Sequence, residues 1–506
     1  MRGPHNIFRL VRAGATFERA GAMRTVLEAM NAPRSVRIAA RVLGWPFKWL
    51  GHKGDTNLPT VTRALTAMGP AFIKLGQTLS TRPDVVGHDL AEQLRLLQDN
   101  LPPFPTVAAR NVIEAELGAP VDELFSEFSD SVAAASIAQV HKARLAGSGE
   151  AVAVKVLRPR IVRNMRRDID AFYFAARVIE TLAPASRRLR PLDVVAHFEG
   201  VVMAELDLRL ESANASEYAA NAVKDEGLRV PMTRWDLSSR RVLTLDWLDG
   251  ISLSDIGALD RAGHDRVRIA ETVMTTFLSH ALRDGYFHGD MHQGNLRVAG
   301  NGDLVILDFG IMGRIDAYTR RVYAEILIGF IRRDYQRVAE VHFEAGYVPR
   351  DRNVTEFAQA LRAVGEPIFG MEASRISMGR LLSHLFEVTE RFGMETRTEL
   401  LLLQRTMVVV EGVARSLDPH VNIWNVARPT VERYIAENVG PKAVLREALR
   451  TVRVLNRFGP KLPEIAEDIL IRQMRAPAAP DRRPWLGRAL LLVAVAVIGF
   501  GIGFLV

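Results

Sequence analysis

One stretch of the sequence, YFHGDMHQGNLRVAGNGDLVILDFG at residues 286–310, constrains the fold more than any other. Its apolar runs NLRV and LVILDF flank AGNGD, a cluster of turn-forming residues, and this pattern predicts a small β-hairpin. Asp290 precedes the hairpin, Asn295 begins it and Asp308 follows it. Because a hairpin returns the chain to where it began, we expect these three side chains to converge.

The spacing of the three residues is typical of phosphoryl transfer. In kinases an aspartate of the catalytic loop is followed five residues later by a metal-binding asparagine, and an Asp-Phe-Gly triplet comes after a short interval. Asp290 and Asn295 have this spacing, and Asp308 begins the triplet DFG. Asn295 and Asp308 offer the hard oxygen ligands that Mg²⁺ prefers, and Asp290 would orient or deprotonate an attacking hydroxyl or water. Two chance polar turns are the alternative interpretation.

A lysine in an apolar strand adds to this site. Lys155 lies in the run AVAVKVL, and burying a lysine is costly unless it is paired. In kinases such a lysine binds the nucleotide phosphates and pairs with a glutamate on a helix. A following helical segment offers Glu205 and Glu211; we favour Glu211 as the partner, with Glu205 as the alternative. Taken alone, the run also fits an edge-strand lysine that faces water.

Four small residues precede this strand, at the place where a glycine-rich phosphate loop belongs. They are Ala133, Ala134, Ala135 and Ser136. Small residues let backbone amides approach a phosphate, but alanine narrows the permitted backbone angles. We therefore expect this alanine-rich loop to bind nucleotide differently from a glycine-rich one. Asp246 and Leu248, at the end of the strand-like run RRVLTLDWL, are also predicted to bind the nucleotide.

Composition excludes several kinds of site. The chain contains no cysteine, which excludes disulfides, thiolate zinc sites and cysteine nucleophiles. Its net charge of +8 fits either nucleic acid or an anionic membrane surface as a partner. The interleaved basic and aromatic pattern of single-stranded nucleic-acid binding is missing, so we predict no nucleic-acid partner.

The end of the sequence indicates a membrane. Residues 489–506, ALLLVAVAVIGFGIGFLV, carry no charge, and a bilayer core needs about 20 helical residues. Arg482, Arg483 and Arg488 come just before this run, so the main domain should face the cytoplasm. Gly499 and Gly503 could bring two such helices together in a homodimer. A buried core helix is the alternative.

The pattern of apolar residues and breaks predicts a two-lobed α+β nucleotide-binding protein, because a β-rich lobe precedes a helical one. Together with the motifs above, this predicts a kinase-like two-lobed fold. The predicted segments are a basic N-terminal helical segment at 1–60, a helical extension at 61–125, an N-terminal lobe at 126–250, a helical C-terminal lobe at 251–475, a linker at 476–485 and a transmembrane helix at 486–506. The N-terminal segment fits an amphipathic helix on anionic lipid and an ordinary solvated helix equally well.

With these motifs the chain resembles the UbiB (or AarF) family of atypical protein-kinase-like proteins, over residues 61–315. The most specific match is the family's Lys-x-Gly-Gln motif, which Lys74 and Gln77 match in KLGQ. Glu205 and Asp207 match its Glu-x-Asp motif. The resemblance implies that Lys74 acts in the site by contacting these carboxylates from a helical extension. Gln293 stands where the family usually has proline.

The resemblance also implies ATP binding with Mg²⁺, slow ATP hydrolysis and a role in making ubiquinone or another polyprenyl quinone. The implied partners are membrane lipids, prenylated quinone precursors and quinone-biosynthesis proteins at the bacterial inner membrane. A helical pattern begins near Asp316, soon after DFG, and no Ala-Pro-Glu triplet follows, which argues against protein kinase activity. A phosphotransferase for a small molecule or lipid, and a nucleotide-binding pseudokinase scaffold, are the alternatives.

Overall fold

The fold is known from a computed structural model that describes residues 5–29, 45–80, 88–97, 102–182, 190–369, 387–388, 391–394 and 398–438. The chain divides into two compact units, Met1–Ile435 and Ala436–Val506, and the architecture below is that of the first. Within the described ranges, no helix is long and apolar enough to cross a membrane. The predicted linker at 476–485 and transmembrane helix at 486–506 lie outside the described residues.

Helices precede the first sheet. They are α1 (His5–Ala20), α2 (Ala22–Ala29), α3 (Thr60–Met68), α4 (Pro70–Ser80), α5 (His88–Arg95), α6 (Thr106–Leu117) and α7 (Val121–Leu124), with a 3₁₀ turn at Trp45–Leu50. Helix α4 carries Lys74 and Gln77 and packs closely on its neighbours, because a Cβ at Gly76 would lie only 2.3 Å from Leu97 Cδ1. Gln77 Nε2 donates a hydrogen bond to the Leu97 carbonyl at 3.3 Å.

The described part of the chain contains short and long strands in three sheets. The strands are β1 (Phe125–Ala134), β2 (Ala138–Leu145), β3 (Ala151–Leu157), β4 (Leu228–Arg229), β5 (Val242–Asp246), β6 (Ile251–Ser252), β7 (Tyr286–His288), β8 (Leu296–Val298), β9 (Leu304–Ile306) and β10 (Met312–Arg314). The first sheet is antiparallel, in the order β1-β2-β3-β5. The hairpin predicted around AGNGD is confirmed: β8 and β9 pair antiparallel, with Leu296 opposite Ile306.

Lys155 lies on the face of the first sheet opposite to the one that packs on helix α6. Val152, Val154 and Val156 of β3 are fully buried and pack with residues of α6. Successive side chains of a strand point to opposite faces, so Lys155 lies on the other face. The pairing of the strands places Ala133, Val140 and Lys155 in one row across the sheet, which brings the alanine-rich loop into line with the lysine.

Three helices follow β3 and position the partners of Lys155. They are α8 (Ile161–Leu182), α9 (Pro191–Glu205) and α10 (Leu208–Ala222). The sequence pattern predicts one continuous helix from 193 to 221, but the structure breaks it at Leu206 and Asp207. Asp207 caps α10 by accepting a hydrogen bond from the Arg209 N–H, a role that aspartate favours over the helix interior. The break places Glu205 and Glu211 on different helices.

The remaining described elements are mainly helical. They are α11 (Ile256–Arg261), α12 (Arg266–Ser279), α13 (Ala317–Ile331), α14 (Tyr335–Glu344), α15 (Val354–Phe369), α16 (Thr398–Leu417) and α17 (Ile423–Asn438), with a π-helical turn at His280–Asp284. Strands β6 and β10 depart from the expectation of helix in this part: β6 pairs with β8, and β10 pairs with β7. These pairings bring residues 286–314 onto a core that includes Phe287, Leu296 and Phe309.

Candidate nucleotide-binding site

Lys155 joins two carboxylates from different parts of the chain. Its Nζ lies 2.7 Å from Glu211 Oε1 and 3.4 Å from Asp308 Oδ2. The Lys155 side chain is 18% exposed and that of Glu211 is 9% exposed, so the ion pair is largely removed from water. Burial by itself lowers the pKa of Lys155, but the charges of Asp308 and Glu211 outweigh burial and raise that pKa. The lysine therefore stays charged at neutral pH.

Asp308 holds a backbone conformation that is unusual for its residue type. Its φ is +60°, in the left-handed region that costs a non-glycine residue about 1 kcal/mol or more. Its Oδ1 accepts a hydrogen bond from the Gly310 N–H at 3.0 Å. Burial alone would raise the pKa of Asp308, but Lys155 and the Gly310 N–H lower it to about 2. The Asp308 carboxylate is therefore ionised at neutral pH, and its side chain is 48% exposed.

His288 connects Asp308 with Asp290. The buried ring accepts a hydrogen bond at Nδ1 from the Asp290 N–H, at 3.0 Å. Since Nδ1 accepts, Nε2 carries the proton and donates to the Asp308 carbonyl. Burial lowers the pKa of His288, which keeps the ring neutral and this tautomer in place. One imidazole thus stabilises the strained Asp308 backbone and orients the loop that bears Asp290.

Asn295 and Asp308 are suited to hold a magnesium ion together with a nucleotide. Asn295 Nδ2 donates to the Asp290 carbonyl at 3.0 Å, and the Leu307 N–H donates to the Asn295 carbonyl at 2.8 Å. The main chain of Asn295 is therefore held beside Leu307, next to Asp308, and the Asp290 carbonyl fixes the Nδ2 side of its side-chain amide. No group of three or more His, Cys, Asp or Glu side chains that could hold a metal occurs in the described ranges. Mg²⁺ in nucleotide sites usually takes one or two protein oxygens plus phosphates and water, which fits this pair.

The Phe309 side chain anchors the triplet in the core. Phe309 is fully buried, and its ring centroid lies 5.5 Å from that of Tyr218 and 5.6 Å from that of His288. Asn214 Nδ2 donates to the Phe309 carbonyl at 3.0 Å, and Tyr286 donates to Asn214 Oδ1 at 2.9 Å. This packing fixes the residue next to Asp308 from helix α10, which also carries Glu211.

Helix α16 supports the loop at 289–293 in a way that sequence reasoning missed. The buried Thr406 Oγ1 lies 3.1 Å from the Gly289 carbonyl and 2.8 Å from the Leu402 carbonyl of its own helix, so one hydroxyl proton is shared between the two acceptors. Gln293 Nε2 donates to Ser416 Oγ at 2.6 Å, so Gln293 also ties the loop to this helix. Thr406 and Ser416 lie more than a hundred positions from the loop, and no spacing signal could have connected them with it.

The alanine-rich loop is closed on itself. Ala133 and Ala134 belong to β1 and pair with Val140 and Gln139, and the Ala135 N–H donates to the Ala138 carbonyl at 2.8 Å. The hydroxyl of Ser136 is fully buried and has no hydrogen-bond partner among the described residues. The amide of Ala135 is thus used within the loop.

Asp246 and Leu248, the other predicted nucleotide-binding residues, lie at and just beyond the end of β5. The Asp246 carboxylate accepts a hydrogen bond from Arg234 Nε at 2.7 Å. Leu248 is half-buried, two residues beyond the end of β5. The Asp246 N–H is also occupied, since it donates to the Met232 carbonyl at 3.0 Å. The assignment of Asp246 and Leu248 to the nucleotide stays a prediction.

Lys74 pairs with the glutamate that the sequence offered as the alternative partner of Lys155. Lys74 Nζ lies 2.9 Å from Glu205 Oε2, and both side chains are mostly buried. Asp207, the other acidic residue of the motif, accepts hydrogen bonds from Arg209 at 2.8 and 2.6 Å, and these bonds lower its pKa. The structure therefore divides the two glutamates between two lysines.

The fold and this set of paired charges define a kinase-like α+β protein of an atypical class. The family model described as "ABC1 atypical kinase-like domain" matches residues 96–342, and that described as "UbiB helical domain" matches residues 361–422. The chain belongs to the UbiB family of atypical kinase-like proteins, as the resemblance in the sequence predicts.

Relatives of known name are similar over most of their length. "Probable protein kinase UbiB" of Marinobacter nauticus is 39% identical over 414 residues, which cover 81% of this chain and 76% of the relative. A protein of the same name from Pseudomonas aeruginosa is 38% identical over 494 residues, or 94% of this chain and 91% of the relative. The solved structure of the Mycobacterium tuberculosis protein Rv3197 in complex with erythromycin is 27% identical, covers 71% of this chain and 91% of that chain, and has a TM-score of 0.50.

Proposed function

We propose that this protein is a membrane-anchored, Mg²⁺-dependent ATPase of the atypical kinase-like class that supports the biosynthesis of ubiquinone or another polyprenyl quinone. One observation carries the proposal: Lys155 of the first sheet contacts both Glu211 of α10 and Asp308, which follows the hairpin. A charged lysine held between two carboxylates, one of them half-exposed, is the arrangement in which kinases bind a metal–nucleotide complex.

Each residue then has a chemical role. Lys155 binds phosphate oxygens, and Glu211 keeps its ammonium group in place. Asn295 and Asp308 hold Mg²⁺, which when bound offsets the charge of the phosphates. Asp290, fixed through the His288 ring, orients the attacking water and accepts its proton.

Transfer to water, rather than to a protein, is supported by the short segment after the triplet. Strand β10 begins at Met312, and α13 begins at Ala317, capped by the Asp316 side chain. The interval between Gly310 and Asp316 therefore leaves little chain for the long activation segment with which protein kinases hold their substrates. The Lys74–Glu205 pair also ties the helical extension to helix α9 of the first lobe.

The membrane and quinone parts of the proposal rest on the sequence and on the family. The uncharged run at 489–506 and the arginines before it fit a single-pass anchor with the main domain in the cytoplasm. Membership of the UbiB family supports the role in quinone synthesis, in which ATP hydrolysis would aid access to prenylated intermediates in the bilayer. Such a role requires no protein acceptor.

Phosphate release by the purified full-length chain tests the chemistry. Turnover of Mg²⁺-ATP should be measured with and without liposomes and a prenylated phenol, for the wild type, for Asp308→Asn and for Asp122→Asn. Asp122 is a matched control, since it is an exposed aspartate on α7 whose carboxylate pairs with Arg110. We expect Asp308→Asn to abolish turnover and Asp122→Asn to leave it unchanged.

Other outcomes would change the assignment. A phosphorylated phenol would make the protein a phosphotransferase, and nucleotide binding without any turnover would make it a scaffold. Lack of Mg²⁺-dependent nucleotide binding by folded protein would remove the basis of the proposal. The quinone content of a deletion strain tests the pathway separately: unchanged ubiquinone would refute that part alone.

A further inference from the structure

Arg158, which none of the motifs above includes, joins the alanine-rich loop to the segment that precedes α6. It follows β3 directly, three residues after Lys155. Its Nε and Nη2 donate to the Ala135 carbonyl at 3.1 and 2.9 Å. Nη2 also donates to the Pro102 carbonyl at 2.9 Å, and the Arg158 N–H donates to the Ile137 carbonyl at 2.8 Å. One side chain thus links two segments that lie 33 positions apart in the sequence, Pro102 and Ala135.

A second set of contacts holds the same two segments together. The Phe104 N–H donates to Gln139 Oε1 at 2.9 Å, and Gln139 Nε2 donates back to the Phe104 carbonyl at 3.3 Å. Gln139 is buried and lies just beyond the loop, in β2. The guanidinium group of Arg158 lies 5.6 Å from the centre of the Phe104 ring, within the range of a cation–π contact. The segment at 102–104 is therefore bound on both sides of the loop.

These contacts decide the conformation of the loop. The Ala135 carbonyl is held by Arg158 and the Ala135 N–H by Ala138, so both backbone polar groups of Ala135 are occupied. The buried, unpartnered hydroxyl of Ser136 opposes this closed form, because an unsatisfied buried polar group costs about 1–3 kcal/mol. The closed conformation of the loop therefore depends on contacts from residues outside the loop. The guanidinium group of Arg158 makes such contacts with the Ala135 carbonyl.

We infer that Arg158 is a positioning residue for the nucleotide site: it holds the alanine-rich loop against residues 102–104 in the conformation that receives the triphosphate. The inference rests on the proposed nucleotide binding. Ala133, at the start of the loop, lies in the same row of the sheet as Lys155. A movement of the loop would therefore change its position relative to the phosphate-binding lysine. Without Arg158, nucleotide binding must also order the loop, and ordering costs free energy. Arginine suits the position better than lysine, since its planar group serves two carbonyls at once.

The test compares Arg158→Gln and Arg158→Lys with Arg144→Gln. Arg144 is a matched control, since it lies in the same sheet and also donates to a carbonyl, that of Gly149, at 3.0 Å. Hydrogen exchange of the full-length protein without nucleotide should rise for Arg158→Gln at the Phe104 amide, which carries the N–H between the prolines of this segment, and in residues 131–138 together. The Kd of Mg²⁺-ADP, measured by calorimetry, should rise about tenfold, the effect of losing roughly one hydrogen bond to a charged donor. Arg158→Lys should give a smaller rise in Kd, and Arg144→Gln none.

Three results would overturn the inference. One is a Kd for folded Arg158→Gln within twofold of the wild type. Another is exchange that rises throughout the first sheet rather than in the two segments, which would show a general structural role. The third is a rise in the Kd for Arg144→Gln as large as that for Arg158→Gln. If the wild type binds no Mg²⁺-ADP, the proposed function fails, while the exchange measurement still decides whether Arg158 holds the loop.

Discussion

Replacing Glu211 by glutamine should destabilise the protein through Lys155. The substitution keeps the shape of the side chain but removes its charge, and Lys155 and Glu211 are both largely buried. Removing one partner of a buried ion pair typically costs about 3–5 kcal/mol. Asp308 remains 3.4 Å from Lys155 as a second counter-charge, so we expect the lower end, about 3 kcal/mol. For a cooperative unit of the size of Met1–Ile435, that loss lowers Tm by roughly 3 °C.

Helix α10 supplies a matched control for this experiment. Glu217 pairs with Arg314 at 2.6 Å, but both side chains are exposed, and surface ion pairs contribute about 0–1 kcal/mol. Scanning calorimetry should therefore show a Tm loss for Glu211→Gln and a change of about 1 °C or less for Glu217→Gln. If both variants had the same Tm as the wild type and the same Kd for Mg²⁺-ADP, the proposed role of the buried pair would be contradicted.

Two further predictions concern Asp308 and Thr406. Because the pKa of Asp308 is lowered to about 2 from an ordinary value of 3.8, its charge stabilises the folded state fully above about pH 5, and this contribution is lost as the pH falls toward 2. In urea titrations the difference in stability between the wild type and Asp308→Asn should therefore shrink across this range; a constant difference would contradict the assignment. Thr406→Val removes a hydroxyl that the Gly289 carbonyl shares with the Leu402 carbonyl. Since a full hydrogen bond is worth about 1 kcal/mol, kcat for ATP should fall by up to about fivefold with little change in KM. A change in KM alone would show that Thr406 does not position Asp290.

Local features of the fold were predictable because they depend on neighbouring residues. The hairpin β8–β9 follows from its turn residues, and the start of α13 follows from the cap at Asp316. The break between α9 and α10 was missed, because the apolar periodicity runs through it and only the cap formed by Asp207 interrupts the helix. Strands β6 and β10 were missed because two or three residues are too few for a periodic signal.

By itself the sequence determined which chemical groups are available: an amine in an apolar strand, two aspartates and an asparagine at fixed spacing around a hairpin, and the family to which the chain belongs. Only the tertiary structure decided how these groups combine. It assigned Glu211 to Lys155 across 56 positions, and Glu205 to Lys74. It also placed Thr406 beside the loop at 289–293 and Arg158 beside the alanine-rich loop. Spacing along the chain reports contacts within an element or a turn, whereas these pairings arise from the packing of separate helices and strands.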